Sequence, residues 1–480
     1  MNNRQVTTNF IWRLLERFGA QGVTFIVSII LARVLDTSTY GTIALITVIT
    51  SILQVFVDSG LGCALVQKKD ADDIDFSTVF YFNLVICLLL YLFLFLASPY
   101  IAAFYNRVEL TPVIKVLGFV LVISGVKNIQ NAYVSRNLLY RKYFFATLGG
   151  TITAAFVGIW MAYNGMGLWA LVVQNLTNQL IDTIILWITV KWRPKAVFSW
   201  KRFRILFRFG YKLLFSSLIE TIWLQLRQLI IGKKYSATDL AFYNKGHEYP
   251  RILTTSINTS VDSVLFPVMS QSQDDKVQVK AFTRKAIQVE SYILWPMMIG
   301  LAACADSLIT ILLTEKWLPA SFYLRIFCIT YAFYPIHTAN LNAIKALGRS
   351  DIYLKLEIAK KLVGAALLIS TMWVSVEAMA YSLLLGSIAS QIINSWPNKK
   401  LLEYGYDEQI KDMMPSIGLS LFMGIIVYCI SMLKISIYII LPIQICCGIV
   451  IYLIGSVVFH MSGYKYLCSM IYIKRKVVRK

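Results

Sequence analysis

From Pro415 to Phe459 the chain carries one charged residue, Lys434. A bilayer-spanning helix needs about 20 mostly apolar residues, so this stretch predicts two spans, 413–433 and 435–459, with Lys434 in the turn between them. The rest of the chain repeats the pattern. Of its 480 residues 58% are hydrophobic and 15% charged, whereas a soluble domain carries roughly 45–50% and about 25%. The sequence therefore predicts an all-α polytopic membrane protein.

Twelve further ranges meet the same ruler: 10–32, 41–63, 76–97, 111–135, 144–163, 166–190, 206–231, 247–269, 284–312, 319–345, 352–374 and 376–396. The eighth is the weakest, because "RILTTSINTSVDS" is polar. With fourteen spans and both termini inside, 28 Lys and Arg residues lie in the inner segments and seven outside: Arg33, Arg107, Lys233, Lys234, Lys245, Lys316 and Lys434. Basic loops stay in the cytoplasm. The expected location is the bacterial cytoplasmic membrane, multi-pass, with cytoplasmic N- and C-termini. "MNNRQVTTNFIWRLLERFGA" has no uninterrupted apolar core before a small-residue site, so no cleavable signal peptide is expected.

The net charge of +21 sits in short clusters between apolar runs, where it meets anionic lipid headgroups, not nucleic acid. The eight cysteines show no CxxC spacing and fall mostly in apolar runs, so neither zinc nor a disulfide framework is indicated. No P-loop is present, which excludes ATP as this chain's fuel. No metal, cofactor or catalytic residue is expected.

The chain also repeats itself. "DSGLGCALVQKKD" at 58–70 and "DSVLFPVMSQSQD" at 262–274 share Asp58/Asp262, Ser59/Ser263, Leu61/Leu265, Gln67/Gln271 and Asp70/Asp274 at an offset of 204. "RFG" at 17–19 returns at 208–210, and "LDTSTYGTIAL" at 35–45 parallels "YSATDLAFYNK" at 235–245. Six spans repeated in the same orientation imply two pseudo-symmetric lobes with a substrate path between them. The expected layout is an N-lobe at 1–190, a basic amphipathic cytoplasmic linker at 191–205, a C-lobe at 206–396, and a helical hairpin with a basic tail at 397–480. The linker "KWRPKAVFSWKRFR" alternates cations with rings and is expected to lie on the inner leaflet.

Ionisable groups at membrane depth cost roughly 2.5–3.5 kcal/mol each, so they normally face a bundle interior or a water-filled path. In span 4, Ser124, Lys127, Asn128, Asn131 and Ser135 share one helical face. Span 6 offers Asn175, Asn178, Gln179 and Asp182; span 7 offers Ser216, Glu220, Trp223 and Arg227; span 8 offers Arg251, Thr254, Thr255, Asn258 and Asp262. Arg13, Glu16 and Arg17 add charge in span 1. Arg13, Arg17, Lys127, Arg227 and Arg251 present cations, and Arg forks suit phosphate oxygens. With Asn131, Asn178, Asp182, Glu220 and Asn258 they form the candidate binding set, suited to a phosphate-bearing amphiphile. Asp58, Asp262 and Glu290 are candidates for gating or for coupling to Na⁺ or H⁺ entry.

The "RPK…FRFG" linker, "LIIGKKYSATDLAFYNKG", "DSVLFPVMSQSQDD" and "TEKWLPASFYLRIFCITYAFYPIHTANLNAIKALGRSDIYLKLEIAKK" at 314–361 resemble the polysaccharide transporter branch of the MOP flippase superfamily over nearly the whole chain. That resemblance implies fourteen helices, two six-helix lobes around a central cavity, and export of an undecaprenyl-pyrophosphate-linked oligosaccharide. It further implies cationic cavity residues that meet the pyrophosphate, and a groove for the lipid tail along helices 13 and 14. The partners then expected are the lipid-linked oligosaccharide, membrane lipids and polysaccharide polymerase machinery, around a monomeric transporter. Two other readings compete. A multidrug exporter of the same superfamily usually has twelve spans and carboxylates that attract cations. A membrane enzyme acting on lipid-linked glycans needs a large outer loop or a His/Asp/Glu cluster, and only His337, in span 10, offers a start.

Overall fold

With no water in the hydrocarbon core, a spanning segment must satisfy its own backbone, which the helix does. The computed structural model describes residues 3–58, 60–433 and 435–469, and only the backbone of 3–11, 13, 14, 17 and 18. The side chains of Arg13 and Arg17, together with Ser59, Lys434 and the basic tail from 470, lie outside the described residues. Those residues hold helices, one 3₁₀ turn and no strand.

The first half of the chain runs α1 (Asn3–Val34), α2 (Thr37–Asp58), α3 (Leu61–Gln67), α4 (Asp73–Phe104), α5 (Leu110–Gly118), α6 (Val120–Arg136), α7 (Tyr140–Tyr163) and α8 (Leu168–Thr189). Then come α9 (Trp200–Lys234), α10 (Ala237–Gln271), α11 (Lys276–Ala303), α12 (Ala305–Leu313), α13 (Ala320–Ala332), α14 (Tyr334–Ala346), α15 (Ser350–Thr371) and α16 (Val376–Leu401). Two more, α17 (Tyr406–Ile430) and α18 (Ile437–Val458), complete the order. Each of the fourteen expected ranges falls on one helix or on a broken pair. Ten of these helices or pairs are long and apolar enough to cross a membrane. The others, α1, α10, α13 with α14, and α15, are interrupted or more polar.

The breaks have local causes. Between α2 and α3, Gly60 adopts φ +65°, a left-handed conformation open to glycine. Val264 holds the equivalent place in the second copy of the repeat, and a β-branched residue resists that conformation; α10 runs through it unbroken. Phe333 separates α13 from α14 just ahead of Pro335, whose missing N–H suits a first helical turn.

The chain folds as two compact units, Met1–Ala241 and Phe242–Lys480. In the first, α7 packs along α8 and α1, and α9 packs along α2. Glycines set the α2–α9 approach: a Cβ on Gly232 would stand 1.9 Å from Leu45, and one on Gly60 2.4 Å from the Gly210 carbonyl oxygen, while one on Gly41 would stand 1.7 Å from the Ala237 carbonyl oxygen at the start of α10. The two helices therefore meet at both ends of α2. In the second unit α11 packs along α17 and α15 along α16.

The segment 190–199, most of the expected linker, has a defined backbone. It is not helical, and it is strapped to the start of α4. Trp192, 6% exposed, packs against Phe76 and Tyr133 and donates its indole N–H to Asp73 (3.1 Å). Backbone amides of Lys195 and Ser199 donate to Ser77 Oγ (2.9 Å) and Thr78 Oγ1 (3.2 Å). An unpaired extended backbone must find partners somewhere, and the hydroxyls of α4 supply them. Phe198 and Trp200 do stay exposed, as a headgroup-facing ring would.

Candidate substrate path and coupling residues

In the first unit the stripe of α6 faces protein neighbours. Lys127 Nζ reaches Asp182 Oδ2 at 2.5 Å and Gln179 Oε1 at 3.2 Å; Asp182 is buried and Lys127 half-buried. Asn128 donates to the Val57 carbonyl oxygen (2.8 Å), beside Asp58, which bonds Gln54 and lies within electrostatic reach of Lys127. Lys127 is therefore not a free cation: two carboxylates, on α2 and α8, surround it. Asn131 and Asn178 are half-buried on the same helices, and the Asn131 Oδ1 has no hydrogen-bond partner among the described residues.

On α9, Glu220 is exposed and Arg227 half-buried, and both have partners. The stripe on α10 divides. Thr254 and Asn258 are buried with side-chain oxygens unpaired among the described residues, whereas Arg251 and Asp262 are exposed. Asn342, buried on α14, donates to the Asp262 Oδ1.

Glu290 on α11 is 1% exposed, and neither carboxylate oxygen has a hydrogen-bond partner among the described residues. Its charged neighbour is Asp262. An ionised carboxylate in such a place is costly unless a proton or a cation accompanies it. The two units thus treat related positions differently. The carboxylate Asp58 faces a cation on α6, while Asp262 faces an amide on α14 and a second carboxyl on α11.

Sequence reading missed three structural clusters. At the start of α4, Asp72 caps the helix and, with Asp75, forms a capping box; Arg202 of α9 binds both, and Lys68 binds buried Asp75 at 2.6 Å. Burial alone would raise the Asp72 carboxyl, but the bond from Arg202 and the amides of Asp75 and Ile74 hold it at about 2. The signal was legible as "DDID" before an apolar run, a helix-start pattern. The second is an amide cluster, Asn340 with Gln409 (2.7 Å) and Asn398 (2.6 Å), which joins α14, α16 and α17. The third is Asp412 on α17, which takes Arg284 (2.7 Å), Gln288 (3.0 Å) and Tyr404 (2.7 Å). Such long-range pairings leave no spacing signature. His337 bonds Asn394 (3.0 Å) and Ser387 (3.4 Å), as a packed membrane histidine would.

Comparison with known proteins follows the same lines. The chain is 24% identical over 392 residues to the teichuronic acid biosynthesis protein TuaB of Bacillus subtilis (strain 168), covering 80% of each. It is 25% identical over 317 residues to the succinoglycan biosynthesis transport protein ExoT of Rhizobium meliloti (strain 1021), covering 66% of this chain and 64% of that one. Its fold matches the inward closed conformation of the lipid II flippase MurJ with a TM-score of 0.75 at 15% identity, over 96% of this chain and 99% of that one. Residues 30–322 match the family model described as polysaccharide biosynthesis protein, and the chain belongs to that family.

Proposed function

We infer that the protein is a flippase, not an enzyme, and that it carries undecaprenyl-pyrophosphate-linked oligosaccharide units from the inner to the outer leaflet of the bacterial cytoplasmic membrane for surface polysaccharide synthesis. One observation carries this reading: a polysaccharide biosynthesis family match over residues 30–322 in a chain with the fold of a lipid II flippase. The finer layout is fourteen spans in two six-helix lobes, 1–190 and 206–396, joined at 191–205 and followed by 397–480, with both termini cytoplasmic. The transporter works as a monomer that hands its product to polymerase machinery. Exposed apolar side chains along α17 and α18, such as Phe422, Ile425, Ile449 and Leu453, support a groove for the lipid tail.

The cations Arg13, Arg17, Arg227 and Arg251 receive the pyrophosphate, with Asn131, Asn178, Asn258 and Glu220 beside the sugar. Lys127 enters only by exchanging Asp182 for a phosphate oxygen. Asp262 and Glu290 couple transport to an entering cation, because these two carboxyls neighbour each other where Asp58 has a lysine; Asp58 gates the inner mouth. With the cytoplasm negative, an anionic headgroup also moves outward downhill by about 2.3 kcal/mol per charge per 100 mV. The test is translocation of a defined lipid-linked oligosaccharide in proteoliposomes. Flipping by the wild-type chain, lost in Arg227→Ala and Arg251→Ala, is expected; a folded wild-type chain that flips none would overturn the reading.

A further inference from the structure

In the first unit, the N-terminal ends of α2, α5 and α8 and the loop before α5 enclose a cavity of about 330 Å³. Its wall carries the hydroxyls of Ser38, Thr39 and Thr42, the charges of Arg107 and Glu109, and the indole of Trp169, 37% exposed. Arg107 Nη1 donates to Thr42 Oγ1 (3.0 Å) and to Glu109 Oε1 (3.3 Å), which fixes the guanidinium at the wall with other donors to spare. None of these residues belongs to the set assigned to the substrate path.

The lining selects a ligand class. A phosphate would meet the Glu109 carboxylate and an arginine already engaged with it. A sugar ring differs, because each hydroxyl both donates and accepts: Glu109 takes its O–H, Arg107 gives N–H, and Thr39 does either, whereas Thr42 already donates to the Ser38 carbonyl oxygen (2.8 Å). The π face of Trp169 supplies a flat apolar surface for the ring's C–H groups. The volume is at the lower end for ligand pockets, enough for one ring and not for a chain. We propose that this cavity binds one pyranose unit of a saccharide, at the outer end of the transporter.

Thr42 follows Gly41, where α2 touches Ala237, and the loop ahead of Glu109 reaches the far end of α9. There Lys233 donates to the Phe104 carbonyl oxygen and sits 4.2 Å above the Phe104 ring. The pocket thus lies beside the end of α2 that packs on α9 at Gly232 and on the start of α10 at Ala237. The outward placement rests on the flippase reading and its topology; the binding itself does not.

The experiment uses the full chain in detergent, with its native cysteines replaced by serine and Ser38→Cys as the reporter. Maleimide labelling of that cysteine is followed with methyl β-D-glucopyranoside, N-acetyl-D-glucosamine or D-glucuronic acid in excess, and with glycerol as control. At least one sugar, and not glycerol, is expected to slow labelling. Trp169→Ala and Arg107→Gln should each weaken that protection about tenfold, as losing a stacked face or a charged hydrogen bond would; Trp169→Phe, which keeps the ring, should retain it. Protection by none of the sugars, or protection untouched by both Trp169→Ala and Arg107→Gln, overturns the pocket. Absent protection in a chain that still flips lipid-linked oligosaccharide sinks the pocket and leaves the flippase. Sugar protection in a folded chain that flips nothing does the reverse.

Discussion

Lys127 shows what a single side chain can reveal and conceal. Its place on a polar stripe with Asn128 and Asn131 was legible from helical spacing, as was that of Asp182 on another helix. That they meet at 2.5 Å was not, because the pair is 55 residues apart and spacing rules reach only one helix. Lys127→Ala is expected to cost about 3–5 kcal/mol, the penalty for leaving a buried charge unpaired. Lys127→Met with Asp182→Leu should recover most of it, measured by thermal unfolding in detergent. If the double variant folds but flips no lipid-linked oligosaccharide, Lys127 serves transport as well as packing. Glu290 gives the opposite contrast. Glu290→Gln keeps shape and removes only the ionisable proton, so stability should hold while the pH or Na⁺ dependence of flipping flattens. A dependence unchanged from wild type would remove Glu290 from coupling.

Helices were the most readable objects in this chain, since a long apolar run in lipid has little choice but to coil. Their joints were less so. The break at Gly60 needs a positive φ that hydropathy does not register, and nothing in the pattern of the linker announces that α4 hydroxyls take the amides of Lys195 and Ser199. At Gly41 a methyl group would enter the Ala237 carbonyl, so Gly41→Ala should destabilise by about 1–3 kcal/mol. Gly22 is also helical, but a methyl group there would meet nothing within 4 Å, so Gly22→Ala should gain about 0.5–1 kcal/mol. Equal shifts in thermal unfolding would deny the contact between α2 and the start of α10 its role. The corner at Asp72 titrates in a known direction. Its carboxyl is held at about 2, below the unfolded value of about 3.9, so its contribution is complete above about pH 4 and lost as pH falls toward 2. Pepsin cleavage of the 190–199 strap should therefore stay level down to about pH 4 and rise below it. Asp72→Asn should show no such step.

At the scale of the whole chain, the proposed two-lobe layout and topology rest on the sequence repeat and on the uneven distribution of Lys and Arg between alternate loops. Both are global statistics that survive local irregularity. A cysteine placed after Lys480 should resist impermeant labels in intact cells, and labelling from outside would invert the topology. The candidate site was less legible, because its character depends on which charges neutralise one another across helices. The strap onto α4 bears on how the molecule could be taken apart. The repeat suggests severing the chain in the basic stretch at 191–205, yet that stretch and α9 are fastened to the first unit through Asp72, Asp73, Ser77 and Thr78. A gene divided there would strand α9 on the wrong fragment. Two co-expressed fragments should reassemble best when the cut falls at Tyr235–Ser236, the short joint between α9 and α10.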